Sequence, residues 1–188
     1  MAQQNDPHRQ VMIAAHFDLD GVKAGLKGHP EWLNIEYDWG PEGGLETPLG
    51  AAAHVGNRRI AEYLLGLGAP LTPTTAAMLG MTGALEAFID TDPASVNARG
   101  AHGIPLLGHA AFSGRVAVCD FLMANGCDGA GVTLGLLNAA GRGDSGMARW
   151  MLEHGADATA TNFQGKTVLE LARASGSADL VALIEQHL

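Results

Sequence analysis

Apolar residues along this chain come in two alternating textures. Short Ala-rich stretches such as "PLGAAAHV" (48–55) are followed, past a glycine, by stretches whose large apolar residues stand three and four apart. Ile60, Tyr63, Leu64 and Leu67 form one such set, and Val118, Phe121 and Leu122 another. That spacing gathers the large side chains on one face of a helix. Alanine adds little bulk, so a neighbouring backbone can lie close to the shorter stretch. The pattern predicts pairs of helices, one small-faced and one large-faced, with a glycine turn between them. The closing "GLGA", "NGCD" and "HGAD" each offer a glycine able to take positive φ as a C-cap.

The pairs repeat. "TPLGAAAHVGNRRIAEYLLGLGA" (47–69), "PLLGHAAFSGRVAVCDFLMANGCD" (105–128), "LGLLNAAGRGDSGMARWMLEHGAD" (134–157) and "TVLELARASGSADLVALIEQHL" (167–188) align on their glycines, with a degenerate copy at 74–97. Gly56, Gly83, Gly114, Gly143 and Gly176 recur at steps of 27, 31, 29 and 33 residues and are expected to be the inter-helix turns. Six units are expected, at about 8–34, 35–70, 71–96, 97–128, 129–157 and 158–188, in one domain spanning 1–188. No pair can bury its apolar face alone, whereas stacked copies form a continuous core.

At these residues the chain resembles the ankyrin repeats, whose pattern is G-x-TPLHLAAxxGHxEIVKLLLxxGAD, over roughly residues 8–188. The resemblance implies an all-α, ankyrin-repeat solenoid of stacked helix pairs with short β-finger loops and a concave face. The first unit, "MIAAHFDLDGVKAGLKGHPEWLN" (12–34), is similar to a degenerate opening repeat, with Phe17 where the turn glycine would stand. The family's structural histidine is replaced by Gly50, Ala77, Gly108, Leu137 and Glu170. "GAPLTP" is too short for a full second finger, and the glycine-rich "GCDGAGVTLG" is expected to be irregular. "EYDWGPEGG" (36–44) falls in a loop longer than the family spacing allows and is read as an overlong first finger.

The resemblance also implies which residues face the groove, namely the two before each turn glycine and those on the fingers. The binding residues expected on that basis are Tyr37, Trp39, His54, Met81, His102, Phe112 and Arg142. Aromatics with Met and Arg are what binding-site centres contain. The function implied is a protein–protein interaction module that holds another protein in its concave groove and against the 36–44 finger. The alternative is a small-molecule-binding or enzymatic variant. There His16, His54 and His109 would line an enclosed pocket near Gly50 and Gly108, under a loop lid, with imidazole as general base. A third arrangement packs the aromatic loop on a sister chain as a homo-oligomer; a monomer is the simpler expectation.

Composition narrows the classes of partner. Of 188 residues, 11 are basic and 20 acidic, for a net charge of −9, with no block of like charge. Phosphate backbones and anionic membranes are bound through Lys and Arg, so neither nucleic acid nor membrane is an expected partner. No apolar run reaches membrane-spanning length and the first ten residues are polar, so the expected compartment is the cytoplasm. Cys119 and Cys127 sit in apolar stretches and read as core filler, not as a disulfide framework. No cofactor and no metal site is expected. In "HFDLD" the acids Asp18 and Asp20 read as helix caps, and in "GRGDS" (141–145) Asp144 or Ser145 does the same.

Overall fold

The computed structural model describes residues 6–41 and 43–188. Twelve α-helices in these residues fall into six consecutive pairs. They are α1 (Pro7–Phe17) with α2 (Leu19–Gly28), α3 (Pro48–His54) with α4 (Arg58–Gly66), and α5 (Pro73–Leu79) with α6 (Thr82–Thr91). There follow α7 (Leu106–Ala110) with α8 (Val116–Ala124), α9 (Val132–Arg142) with α10 (Ser145–Glu153), and α11 (Val168–Ser175) with α12 (Ala178–Glu185). The first helices of the pairs stack in chain order, α1 on α3 through to α9 on α11. Small residues allow this: Ala51, Ala52, Ala53, Ala76, Ala77, Ala110, Ala139 and Ala140 are all fully buried. The second helices supply bulk from outside through Ile60, Leu64, Leu122, Met147 and Leu180. Each such side chain contributes about 1.5–3 kcal/mol relative to exposure.

The turns follow the capping logic of the sequence. Gly56, Gly114, Gly143 and Gly176 take φ of 71°, 67°, 73° and 79°, a region that penalises other residues. Asn57, Asp144 and Ser177 then accept from the amides of Ile60, Met147 and Leu180 at the start of the following helix. Asp18 does the same for Asp20 and Gly21. The acids of "HFDLD" and "GRGDS" therefore serve helix termini. Cys119 is buried with its Sγ 3.7 Å from Met147 Sδ, and burial pushes its thiol up to about 12.

The third unit departs from the expected register. Its turn glycine is Gly80, at φ 72°, and not Gly83, which lies inside α6. Met81 consequently follows the turn as the N-cap residue of α6 instead of preceding it. The missing second finger is the physical reason. Thr72 caps α5 almost directly after α4, so this unit turns early. Neighbouring units close over the end of α5. Arg58 Nη2 donates to the Leu79 carbonyl at 3.0 Å, and Arg115 Nη1 to that of Gly80 at 3.3 Å. Phe112, from the fourth unit, reaches back to the second, where a Cβ on Gly56 would collide with its ring.

The fingers alternate in form. In the first, β1 (Tyr37–Asp38) pairs antiparallel with β2 (Leu45–Glu46), Tyr37 opposite Glu46 and Asp38 opposite Leu45. The third and fifth hold single bridges, Arg99 to Pro105 and Thr161 to Thr167. The second and fourth carry no strand among the described residues. An open cleft of about 400 Å³ separates the first finger from the third, bordered by Leu45, Thr47, Gly50, Thr72, Arg99 and His109.

Candidate functional site

On β2 the apolar residue faces out and the acid faces in. Leu45 is 58% exposed and Glu46 only 2%. A carboxylate withdrawn from water needs partners, and three converge on it. His54 Nδ1 lies 2.6 Å from Oε1. The Trp39 indole N–H donates to Oε2 at 2.8 Å. His16 Nε2 stands 3.6 Å from the same Oε2.

Stacking explains the meeting. His16 lies in the last turn of α1 and His54 ends α3, near-equivalent positions of adjacent units, so their rings pack edge to face with centroids 4.8 Å apart. The hairpin delivers Glu46 and Trp39 from above. Trp39 lies edge-on to Tyr37 at 4.8 Å, and the Arg9 guanidinium sits over its ring at 5.6 Å. From the third finger His102 brings its ring 5.0 Å from that of His54. At φ 56°, His102 is the one non-glycine residue among those described with positive φ.

Burial pushes the Glu46 carboxyl up, but the hydrogen bond and charge of His54, the charge of His16 and the Trp39 N–H together outweigh it, holding the group below the usual carboxylate range. His16 moves the other way from what an ion pair with Glu46 would give. Burial lowers it, the Glu46 charge only partly offsets this, and neighbouring His54 lowers it further. The distances reconcile the two shifts, because the hydrogen-bonded partner of Glu46 is His54 and not His16.

The other expected site residues are placed as follows. Tyr37 and Trp39 are half-buried and pack against the N-terminal core, bracing the finger instead of projecting from it. Met81, His102 and Arg142 are exposed, and Phe112 is half-buried with the Arg142 guanidinium 5.9 Å above its ring. His16, His54 and His109 do not form one pocket. His109 is 1% exposed, its Nδ1 is 3.2 Å from the Pro105 carbonyl oxygen, and its ring packs so close to Gly100 that a Cβ there would lie 2.8 Å away. Burial, and then the His54 charge, lower its pKa to about 4 against the pull of that carbonyl. Among the described residues no enclosed pocket stands beside Gly50 and Gly108. Leu134 and Ile104 fill the space at Gly108, and Gly50 borders the open cleft.

Glu46 was not among the expected site residues. Nothing in "LETP" distinguishes an acid that faces in from one that faces out; hairpin register decides it.

The architecture defines a class: a repeat protein in which stacked helix pairs share one elongated core. Residues 120–172, from α8 into α11, match the family model described as ankyrin repeats (many copies). That segment is similar to ankyrin repeats, and the helix pairs on either side of it continue the same all-α solenoid among the described residues. No curated protein matches it. Ankyrin repeats are generally protein-interaction modules, and no helix among the described residues is long and apolar enough to cross a membrane. The Glu46 cluster lies wholly outside the matched segment.

Proposed function

We propose that this chain is a protein-interaction module that recognises another protein through the first three units and the finger at 36–44. A row of exposed apolar side chains carries this reading. Phe17, Val55 and Met81, at the inter-helix turns of three consecutive units, are 72%, 38% and 41% exposed. Because α1, α3 and α5 stack, these turns lie side by side. Desolvating such a row on a rigid platform is how repeat surfaces gain affinity without ordering costs. Leu45 extends the apolar surface onto the finger, while Tyr37 and Trp39 hold the finger in place. Beyond these units, exposed His102 of the fourth and Arg142 of the fifth extend the groove with polar groups. The two buried free cysteines fit a reducing compartment such as the cytoplasm.

A small-molecule or catalytic role has weaker support, since an open cleft stands where an enclosed pocket was expected. The test is affinity capture with the tagged chain beside its Val55→Asp, Met81→Asp variant, followed by titration with the purified partner. Both positions are exposed, so the variant should keep the wild-type melting temperature and bind at least about tenfold more weakly. Equal affinity of the two proteins overturns this surface as the binding face. Size measurement during the same titration separates a foreign partner from a second copy of the chain.

A further inference from the structure

The groups around Glu46 do not balance as hydrogen bonds alone. His16 Nδ1 lies 2.9 Å from the Met12 carbonyl oxygen. A carbonyl only accepts, so that nitrogen carries the ring proton, and Nε2 of the neutral imidazole is a bare lone pair. It faces Glu46 Oε2, which is also an acceptor, at 3.6 Å. Two acceptors facing each other beside a buried carboxylate need a cation between them, either a proton or a metal ion. The separation is long for an N–H···O bond, whose range ends near 3.2 Å. It suits two ligands of one tetrahedral ion, since bonds of about 2.0–2.1 Å set the ligands roughly 3.3 Å apart.

Three further observations agree with a metal ion. One ligand atom each from His16, Glu46 and His54 lie within 4.8 Å of one another. The His16 Nδ1–H bond to a backbone carbonyl is the outer contact that fixes the tautomer of metal-ligating histidines. The Trp39 N–H on Glu46 orients the carboxylate in the same manner. We propose that His16, Glu46 and His54 form a binding site for a divalent transition-metal ion of zinc-like chemistry, with its fourth position open toward His102. Two imidazoles and one carboxylate are a donor set that zinc accepts in its four-coordinate sites. The Nδ1–H of His54 now bonds Glu46, so ligation through that nitrogen breaks this bond and moves the single ring proton to Nε2. An ion held there would pin the first finger to α1 and α3.

Titration calorimetry of the full chain with Zn²⁺, together with the visible absorption of Co²⁺, tests the site. The expected result is one ion per chain, tetrahedral Co²⁺ bands, and a melting temperature that rises with Zn²⁺ concentration. His16→Ala and His54→Ala, both at mostly buried positions and therefore each checked for folding by circular dichroism, should weaken binding by more than about 100-fold and abolish the thermal shift. Trp39→Phe, which leaves the ligands in place, should weaken it by roughly 10-fold through loss of carboxylate orientation. His29→Ala, at the exposed His29–Glu31 pair, should leave binding unchanged. Saturable binding that survives His16→Ala and His54→Ala would overturn the proposal, as would a folded wild-type chain that binds no Zn²⁺. In the latter case a proton fills the gap.

Discussion

Glu46 and His54 meet at 2.6 Å, the acid arriving on the closing strand of the first finger and the imidazole on the last residue of α3. This contact ties finger to helix inside the N-terminal core. Glu46→Ala removes the acceptor of both His54 and Trp39 and leaves their N–H groups unmatched. Breaking a buried pair from one side costs about 3 kcal/mol or more, so urea unfolding should show a clear fall in midpoint. Glu46→Gln keeps one acceptor and should lose less. The carboxyl is held below its ordinary 4.5, so the stability it contributes is present above that value and lost as pH falls through the lowered folded pKa.

Trp39 is predicted to matter for stability as well as for any partner. Trp39→Phe keeps a ring against Tyr37 and removes only the donor to Glu46 Oε2. The expected loss is about 1–2 kcal/mol by chemical denaturation. Unchanged stability would mean that the hairpin does not hold this bond in solution.

The register of the third unit can be read from two glycines. Gly80 sits at φ 72°, and a Cβ there would come within 3.0 Å of Arg115 Cδ, so Gly80→Ala should cost about 1–2 kcal/mol. Gly83 lies in α6 with nothing within 4 Å of a Cβ, so Gly83→Ala should be neutral or add up to about 1 kcal/mol. Equilibrium unfolding of both variants decides the matter, and the opposite order would restore Gly83 as the turn.

His109 should make the fold acid-sensitive. Its pKa is about 4 in the folded chain and near 6.5 when unfolded, so between these values the unfolded state binds more protons. Stability therefore falls as pH drops from about 6.5 to 4, by on the order of 3 kcal/mol. His109→Leu should flatten that part of a stability–pH curve measured by denaturant titration. An unchanged slope would place the acid sensitivity elsewhere.

Most of the scaffold was legible from local chemistry. Alternating Ala-rich and Leu-rich stretches, closed by glycines and in two units opened by Asp18 or Asp144, specify helix pairs wherever they occur, because period and capping act within a few residues. Regularity misled at Gly83: averaging over the repeats hid a unit shortened by a missing finger. The site was half visible. His54, His102 and the Trp39 loop stood out by residue type, yet their arrangement around Glu46 did not.

The chain's own residues determined the helix pairs, their caps, the six-unit stack and the absence of a second finger, since each depends on neighbours in sequence or on one repeating face. Only tertiary structure decided that Glu46 turns inward while Leu45 turns out. It also decided that His16 and His54, 38 residues apart, share its carboxylate, and that His109 is packed away from both. Those outcomes depend on the register of one hairpin against two stacked helices. A shift of one residue there would exchange the buried acid for leucine.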